Sequence, residues 1–422
     1  MDLFTPVSRD VRQNEAVNKW IKAKGRGTIV ACTGFGKTFI AIKTIKLLRT
    51  KYPDLTVLIL VPTTALKHQW INVLTDNDLI FNVDVQVMMG ASQRETSCDL
   101  LILDEVHRCA ATKLLNVFKV VKYKLILGLT ATFERLDGRD VLLAEHAPVV
   151  DTITLQEAAL NGWIAEYTDY VVIVEPDDLD VYKAYNKEFV QHFEYFGYDF
   201  STVMKMSGPR GFINRKEYTN KICQNPEEWS NIFKEVTYHA MGLNRTMAKR
   251  KAYIANHPAK LRVAQAIINA RPNSKIMTFS SNVKTAEAFK NGHVFTGKQG
   301  KQKNRMTLEE FAMEPSGILH TVKLAEEGLS IPSVDVGIML GVNSSKTKAI
   351  QTLGRCLRLN GENKHAEFFT IVLAGTVETE WMKKSRSSDN FITIDEENLM
   401  LMLQGKPYET YKRKLQQFNF RF

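Results

Sequence analysis

The stretch GTIVACTGFGKT, residues 27–38, decides the fold class of this 422-residue chain. Its first half is a short, apolar and β-branched run, typical of a buried parallel strand, and FIAI at residues 39–42 begins a helical pattern directly after it. Between them lies a glycine-rich turn that ends in Lys37 and Thr38. The backbone amides of such a turn, together with a helix N-terminus, can surround a phosphate chain. The stretch therefore predicts an α/β domain that binds a nucleotide.

Within this turn we expect Lys37 to pair with the β- and γ-phosphates and the Thr38 hydroxyl to hold magnesium. The usual phosphate-loop pattern has glycine where Ala31 stands, so the match is incomplete by one position. A glycine-rich turn with a chance Lys-Thr pair is the alternative at this point. The residues predicted to bind the nucleotide are Thr33, Gly34, Phe35, Gly36, Lys37 and Thr38.

A second motif lies at the end of the apolar run LLIL, residues 100–103. It reads Asp104-Glu105-Val106-His107, which places two carboxylates after a predicted strand. In a parallel sheet the carboxyl ends of strands lie at one edge, so these acids are expected beside the phosphate loop. There Asp104 can hold the magnesium, and Glu105 can orient and deprotonate the attacking water.

The chain as a whole reads as two α/β sheets in tandem with a mostly helical connector between them. Residues 177–258 lack strand runs and carry aromatic residues at helical spacing, which favours a packed core stripe over a base-stacking platform. We divide the chain into a first domain at 1–168, a helical insertion at 169–258, a second domain at 259–390 and an extension at 391–422. The strands expected besides the first lie at residues 57–61, 99–103, 125–129, 275–279, 317–320, 334–340 and 367–372.

These motifs resemble the superfamily 2 helicases and translocases of the D-E-x-H type, and further motifs occur in the same order. Residues 61–66 with Gln69 and Trp70 resemble the element that touches the nucleic-acid backbone. Residues 130–138 and 155–167 are similar to segments of phage branch-migration and excision-repair helicases. The resemblance implies two RecA-like parallel-sheet motor domains, ATP and Mg²⁺ as cofactors, and hydrolysis at the interface between the domains.

The run QTLGRCLR at residues 351–358 matches the sixth motif of these helicases. Arg355 and Arg358 are three residues apart, so both can lie on one helix face and reach the γ-phosphate across a cleft. An arginine supplied in this way accelerates phosphoryl transfer roughly 10³- to 10⁵-fold. By resemblance, Gln351 lies near the γ-phosphate, Glu327 and Gly328 bridge nucleotide and strand, and Gln13 reads the adenine edge.

The resemblance also implies residues that hold the nucleic acid and couple its site to ATP. Backbone amides and hydroxyls suit a motor that is indifferent to base sequence, although each hydroxyl could instead cap a helix. The coupling residues are Thr130, Thr132 and His107. The predicted contacts to DNA are Thr63, Thr64, Gln69, Ser280, Ser281, Thr321 and Lys323.

Composition agrees with a nucleic-acid partner. The 56 Lys and Arg residues outnumber the 46 Asp and Glu residues, and the net charge of +10 favours a polyanion. The five widely spaced cysteines favour a reduced compartment. No apolar run reaches the roughly 18 residues of a membrane span, and the N-terminus lacks a signal-peptide pattern. We expect a cytoplasmic protein, bacterial or in a phage-infected host, with no membrane partner.

The function expected from the sequence is that of an ATP-dependent DNA helicase or translocase that acts on single-stranded, forked or branched DNA in recombination or repair. DNA is preferred to RNA on the resemblance alone, because recognition of 2′-hydroxyls cannot be read from the sequence. An RNA helicase and the motor subunit of a restriction-type complex remain as alternatives. The motifs do not separate unwinding from translocation.

Overall fold

A computed structural model describes residues 6–110, 115–131, 133, 140–207, 210–322, 334–341, 365–385 and 391–410. Within these residues the chain forms two parallel β-sheets. The first sheet has six strands in the order β3-β2-β4-β5-β1-β6, and every described pairing is parallel. Its strands are β1 Arg26–Ala31, β2 Val57–Val61, β3 Val83–Val87, β4 Thr96–Asp104, β5 Val121–Thr130 and β6 Val149–Ile153.

The second sheet has seven strands in the order β13-β7-β12-β11-β8-β10-β9, again paired in parallel. The predicted strands of both sheets are thereby confirmed, and the tandem RecA-like α/β fold expected from the motifs is correct. The strands of the second sheet are β7 Glu166–Val174, β8 Lys275–Ser280, β9 His293–Phe295, β10 Gly317–Val322, β11 Val336–Met339, β12 His365–Leu373 and β13 Ile392–Asp395.

Helices cover both faces of the sheets, which is why the central strands are continuous apolar runs. In β2 the alternate residues Leu58 and Leu60 pack into one hydrophobic cluster, while Ile59 and Val61 pack into another on the opposite face. The helices are α1 Arg9–Lys22, α2 Lys37–Lys51, α3 Thr64–Asp76, α4 Met88–Ala91, α5 Val117–Val120, α6 Asp140–His146, α7 Leu155–Leu160, α8 Leu179–Glu194, α9 Phe200–Ser207, α10 Gly211–Ile222, α11 Trp229–Asn256, α12 Pro258–Asn269, α13 Val283–Glu287, α14 Lys301–Met313, α15 Val377–Ser385 and α16 Glu396–Leu403.

The helical insertion, α8 to α11, starts and ends on the second sheet. Its entry and exit meet at Asp178, whose Oδ1 accepts hydrogen bonds from the Tyr253 hydroxyl at 2.7 Å and from His257 Nε2 at 2.9 Å. The Tyr182 hydroxyl on α8 accepts a bond from the backbone N–H of Val377, the first residue of α15, at 3.0 Å. These contacts fix the insertion to the second domain.

The aromatic residues at helical spacing in the insertion form its core, as the favoured interpretation predicts. Phe189 and Phe193 on α8 lie with ring centroids 5.4 Å apart, and Phe196 is buried just beyond the helix. They pack against α11 residues such as Leu243 in one hydrophobic cluster. Among the helices of the described segments, none is long and apolar enough to cross a bilayer.

Strand pairing differs from the predicted division of the chain at two places. Strand β7 pairs with β12 over nine residues, from Glu166 to Val174. Residues 166–168 therefore belong to the second sheet and not to the first domain, and residues 169–174 belong to it and not to the insertion. Strand β13 pairs with the other side of β7, and α16 packs beside it, so the start of the 391–422 extension also belongs to the second sheet. Both pairings join segments distant in sequence, which local patterns do not reveal.

Candidate nucleotide site and nucleic-acid interface

The glycine-rich turn lies at the carboxyl edge of the first sheet, between β1 and α2. Gly34 and Gly36 have φ angles of +88° and +98°, in the left-handed region that favours glycine. A Cβ at Gly36 would also meet Gln13 Nε2 at 2.8 Å. The same Nε2 donates a hydrogen bond to the carbonyl of Phe35 at 3.1 Å, so Gln13 is held against the turn, and its contact with adenine stays a prediction.

The polar groups of this turn fit a phosphate chain. Helix α2 begins at Lys37 and receives no side-chain cap from Gly36, and a helix N-terminus without such a cap favours an anion. The Thr33 hydroxyl is buried and has no hydrogen-bond partner among the described residues. Lys37 Nζ lies 3.4 Å from the Ala31 carbonyl, inside the turn, and Thr38 is half-buried on the first turn of α2. The residues present therefore suit a bound nucleoside triphosphate.

Asp104 is the last residue of β4 and lies at the same edge of the sheet. Trp70 Nε1 on α3 donates a hydrogen bond to Asp104 Oδ2 at 2.9 Å, and both side chains are buried. Burial and the neighbouring Glu105 raise the pKa of Asp104 to about 6, while the bond from Trp70 opposes this shift. A divalent cation beside Asp104 would favour its ionised form, so this carboxylate suits a magnesium ligand.

Glu105 has a φ angle of +55°, an uncommon conformation for a residue other than glycine. Burial alone would raise the pKa of Glu105, but Lys37 and the hydrogen-bonded His107 outweigh it and lower the pKa to about 2. Glu105 is thus ionised at neutral pH and can accept a hydrogen bond from a water molecule. The pKa values of the two adjacent carboxylates are therefore shifted in opposite directions.

A small polar cluster connects Glu105 with the end of β5. His107 Nδ1 lies 2.9 Å from Thr130 Oγ1 and 3.3 Å from Glu105 Oε2. The Thr130 hydroxyl lies 3.5 Å from the same carboxylate oxygen. The structure therefore brings the two described coupling residues, His107 and Thr130, into contact with the predicted catalytic carboxylate.

Arg12 anchors the helix that presents Gln13, although no sequence motif predicts a role for it. Its guanidinium bonds to both carboxylate oxygens of Asp151, with Nη1 at 2.5 Å, and its Nε bonds to Glu157 at 2.6 Å. Lys19 also donates to Asp151 at 2.6 Å. These partners lie some 140 positions away in sequence, so no local pattern signals the pairing.

Helix α3 carries the predicted strand contacts of the first domain. The Thr63 hydroxyl accepts a hydrogen bond from the Leu66 amide at 3.3 Å and caps the helix, which is the alternative role weighed for such hydroxyls. Thr64 and Gln69 are exposed on the same helix. Both remain candidates for contact with a nucleic-acid backbone.

The predicted contacts of the second domain divide in a similar way. Ser281 is exposed just after β8, and Ser280 is buried with a hydroxyl that has no partner among the described residues. Thr321 requires a correction, because its side chain is fully buried in the sheet and its hydroxyl donates to the Thr278 carbonyl at 2.8 Å. A hydroxyl held between neighbouring β-strands cannot reach a bound nucleic-acid strand.

A further polar loop follows β9, and none of the predicted site residues lies in it. Residues 296–301 read TGKQGK and lead into the 13-residue helix α14, whose N-cap Gly300 supplies no side-chain cap. Buried oxygens of Thr296, Gln299 and Asn304 have no hydrogen-bond partner among the described residues. A strand followed by glycines, lysines and a helix is the same local pattern as the turn between β1 and α2.

Several predicted site residues lie outside the described part of the chain. The structure therefore reports nothing on their positions, and their roles stay predictions from the motifs. They are Thr132, Lys323, Glu327, Gly328, Gln351, Arg355 and Arg358.

Comparison with known families matches both halves of the chain. Residues 9–78 and 82–135 match the family described as type III restriction enzyme, res subunit. Residues 259–360 match the helicase conserved C-terminal domain. The first match spans the glycine-rich turn and the two carboxylates, and the second spans the run at 351–358.

Individual proteins resemble this chain at low sequence identity. The chain is 25% identical over 398 residues to the DNA 3'-5' translocase XPB2 of Sulfurisphaera tokodaii, covering 89% of this chain and 83% of that protein. It is 27% identical over 173 residues to a putative ATP-dependent RNA helicase of African swine fever virus, covering 35% and 33%. In fold it is similar to the Pyrococcus furiosus Hef helicase domain, with a TM-score of 0.53, 16% identity, and coverage of 90% of this chain and all of that one.

Proposed function

This chain belongs to the superfamily 2 helicases and translocases, and we propose that it is an ATP-dependent DNA translocase that remodels or unwinds forked and branched DNA. The observation that carries the proposal is the convergence of Lys37, Asp104 and Glu105 at one sheet edge, with Trp70 joining that site to α3. Helix α3 also presents Thr64 and Gln69 to solvent. The proposed sites for ATP hydrolysis and for contact with a nucleic-acid strand thus lie in neighbouring parts of one domain.

In the proposed reaction ATP would supply the phosphoryl group that is transferred to water, with ADP as the leaving group, and Mg²⁺ would neutralise phosphate charge. The turn at residues 33–38 surrounds the phosphates with backbone amides, and Lys37 adds a positive charge. Thr38 and Asp104 hold the cation. Glu105, ionised at neutral pH, orients the attacking water by accepting a hydrogen bond from it.

The second domain completes this proposed site through residues predicted from the motifs. Arg355 and Arg358 would stabilise the charge on the γ-phosphate, with Gln351 beside them. Glu327 and Gly328 would bridge nucleotide and strand. Closure of the two domains on ATP and reopening after hydrolysis would then move a bound strand, since each domain also contacts its backbone.

DNA is proposed as the track because the chain resembles a protein named as a DNA 3'-5' translocase along most of its length. Branched substrates are proposed on the helical insertion. Its helices α9 and α10 expose Phe200 and Phe212 beside the basic residues Lys205, Arg210 and Lys216. Exposed rings together with positive charge suit unpaired bases and phosphates at a junction.

Two alternatives keep specific support. An RNA track is supported by the viral relative, whose name describes an RNA helicase, over about a third of this chain. A motor that translocates without separating strands, as in a restriction-type complex, is supported by the family match of the first domain. The same motor geometry would serve all three functions.

One experiment separates these functions. ATPase and strand displacement are measured side by side on single-stranded DNA, forks, four-way junctions and RNAs of matched sequence, with Glu105→Gln as the inactive control. We expect DNA to stimulate ATPase and forks or junctions to be remodelled. Stimulation by RNA alone would overturn the DNA assignment. Stimulation by DNA without any displacement would leave the translocating motor as the function.

A further inference from the structure

Trp70 forms a direct link between a helix predicted to contact the nucleic acid and the carboxylate predicted to hold magnesium. Its indole Nε1 donates to Asp104 Oδ2 at 2.9 Å, and Trp70 is only 2% exposed. The indole has a single donor, which is committed to this carboxylate. A bond between a buried donor and a buried carboxylate is worth more than one in water, because neither group has solvent as an alternative partner.

Another face of the same helix reaches solvent. Thr64 and Gln69 on α3 are exposed, and Gln69 directly precedes Trp70. Thr63 caps the helix N-terminus, so the first turn of α3 is fixed to the end of β2. A backbone-bonded helix moves as a unit, so a displacement at Gln69 also displaces the indole of Trp70.

We propose that Trp70 is a positioning residue. Through it, contact between α3 and a nucleic-acid strand controls the orientation of the Asp104 carboxylate. The proposal rests on the function proposed above and adds a physical route from nucleic acid to the ATP site. With Oδ2 held by the indole, rotation of the carboxylate is restricted. A shift of α3 would strengthen or weaken that restraint, and with it the readiness of Asp104 to hold the cation.

The first domain offers a matched control in Trp20. Its indole Nε1 donates to the Ile126 carbonyl at 2.8 Å, and the ring is 1% exposed. Trp20 lies on α1, like Trp70 it bonds a neighbouring strand, and its partner is not a site carboxylate. Trp20→Phe therefore removes an equivalent buried hydrogen bond without touching Asp104.

The test compares Trp70→Phe with Trp20→Phe, after thermal unfolding shows that both variants are folded. Binding of a fluorescent, non-hydrolysable ATP analogue is titrated with Mg²⁺, and ATPase is measured with and without single-stranded DNA. We expect Trp70→Phe to raise the Mg²⁺ midpoint about tenfold, as loss of a ligand's hydrogen-bond partner does in other metal sites. Its DNA stimulation should fall towards none, while Trp20→Phe retains both properties.

Two outcomes separate this inference from the proposed function. Wild-type ATPase that no nucleic acid stimulates would overturn the proposed function. Normal wild-type stimulation that Trp70→Phe retains, with a Mg²⁺ midpoint within twofold of Trp20→Phe, would overturn the role of Trp70 alone. In that case the indole serves only to pack the core.

A second measurement keeps an indole at position 70, should Trp70→Phe fail to fold. All five tryptophans are replaced by 5-fluorotryptophan, and the Trp70 resonance is assigned by elimination with variants of the other four. We expect single-stranded DNA, added without nucleotide, to shift the Trp70 fluorine resonance, and Mg²⁺ with ADP to shift it again. A Trp70 resonance that DNA leaves unchanged would overturn the proposal.

Discussion

Nδ1 of His107 lies 2.9 Å from the hydroxyl of Thr130. This contact joins the turn after β4 to the end of β5, and both side chains approach the carboxylate of Glu105. Neighbouring strands thus share one hydrogen-bonded group at the carboxyl edge of the sheet. A motion of either strand end would change the contacts of Glu105, the residue proposed to orient the attacking water.

We expect Thr130→Val to reduce nucleic-acid-stimulated ATPase roughly tenfold, because a hydrogen bond to a charged group contributes about 1.5 kcal/mol or more and 1.36 kcal/mol is a factor of ten in rate. Thr44→Val is the control, since the Thr44 hydroxyl is buried and, among the residues that the structure describes, bonds only the Ile40 carbonyl of its own helix. Steady-state ATPase with saturating DNA measures both. Equal rates in the two variants would contradict the coupling role of Thr130.

Lys37→Ala and Glu105→Gln should both abolish turnover, for different reasons. Loss of the Lys37 charge weakens phosphate binding, whereas Glu105→Gln retains ATP and removes the group that orients water, a loss of about 10²- to 10⁴-fold. We expect Lys37→Ala to keep most of its DNA affinity and Glu105→Gln to accumulate as an ATP-bound closed form. Fluorescence anisotropy with labelled DNA and retention of labelled ATP measure these states. Substantial ATPase in either variant would contradict the assigned roles.

The sequence predicts the ATP site of the first domain better than the contacts that support it. Residues 31–38 and 104–107 are local patterns whose chemistry depends on strand and helix ends, so their geometry follows from the fold class. Arg12 bonds to Asp151, which is distant in sequence, and that pairing depends on how α1 packs against β6. Burial determines whether a single hydroxyl such as that of Thr321 is accessible to a bound nucleic acid, and the neighbouring β-strands determine that burial.

The buried pair of Arg12 and Asp151 should contribute to stability. We expect Asp151→Asn to lower the free energy of unfolding of the first domain by about 3 kcal/mol, because it leaves the Arg12 charge without its main partner. The control is Glu15→Gln, since Glu15 is exposed and lies 3.9 Å from the same guanidinium. Chemical denaturation followed by circular dichroism measures both. A loss no larger than that of Glu15→Gln would contradict the expectation.

The same pair gives this stability a defined pH dependence. Burial would raise the pKa of Asp151, but the hydrogen bonds from Arg12 and Lys19 outweigh it and hold the pKa below its ordinary value of about 4. A carboxylate with a lowered folded-state pKa stabilises the fold above its unfolded-state pKa and loses that contribution as pH falls through the folded value. The difference between wild type and Asp151→Asn should therefore be constant near neutral pH and shrink below about pH 4.

Phe212 on the helical insertion should matter for junctions and not for single strands. Its ring is 54% exposed, meets Phe233 edge-on at 5.7 Å, and has Lys216 Nζ 4.7 Å from its centroid. This arrangement holds the ring in place for stacking on a base, which is worth about 1–3 kcal/mol. The insertion is fixed to the second domain through Tyr182, so Phe212 would move with that domain during each ATP cycle.

We therefore expect Phe212→Ala to weaken four-way junction binding about fivefold or more, in line with the loss of one base stack. Affinity for single-stranded DNA and basal ATPase should stay within twofold. Phe81→Ala is the control, since Phe81 is 69% exposed in the loop before β3, at the sheet edge opposite the ATP site. Anisotropy titrations at two salt concentrations measure affinity and the number of phosphates contacted, because the slope of log affinity against log salt is about −0.9 per phosphate neutralised on duplex. Weaker junction binding with an unchanged salt slope identifies lost stacking. Equal junction affinities for Phe212→Ala and Phe81→Ala would contradict a role for Phe212 in junction binding.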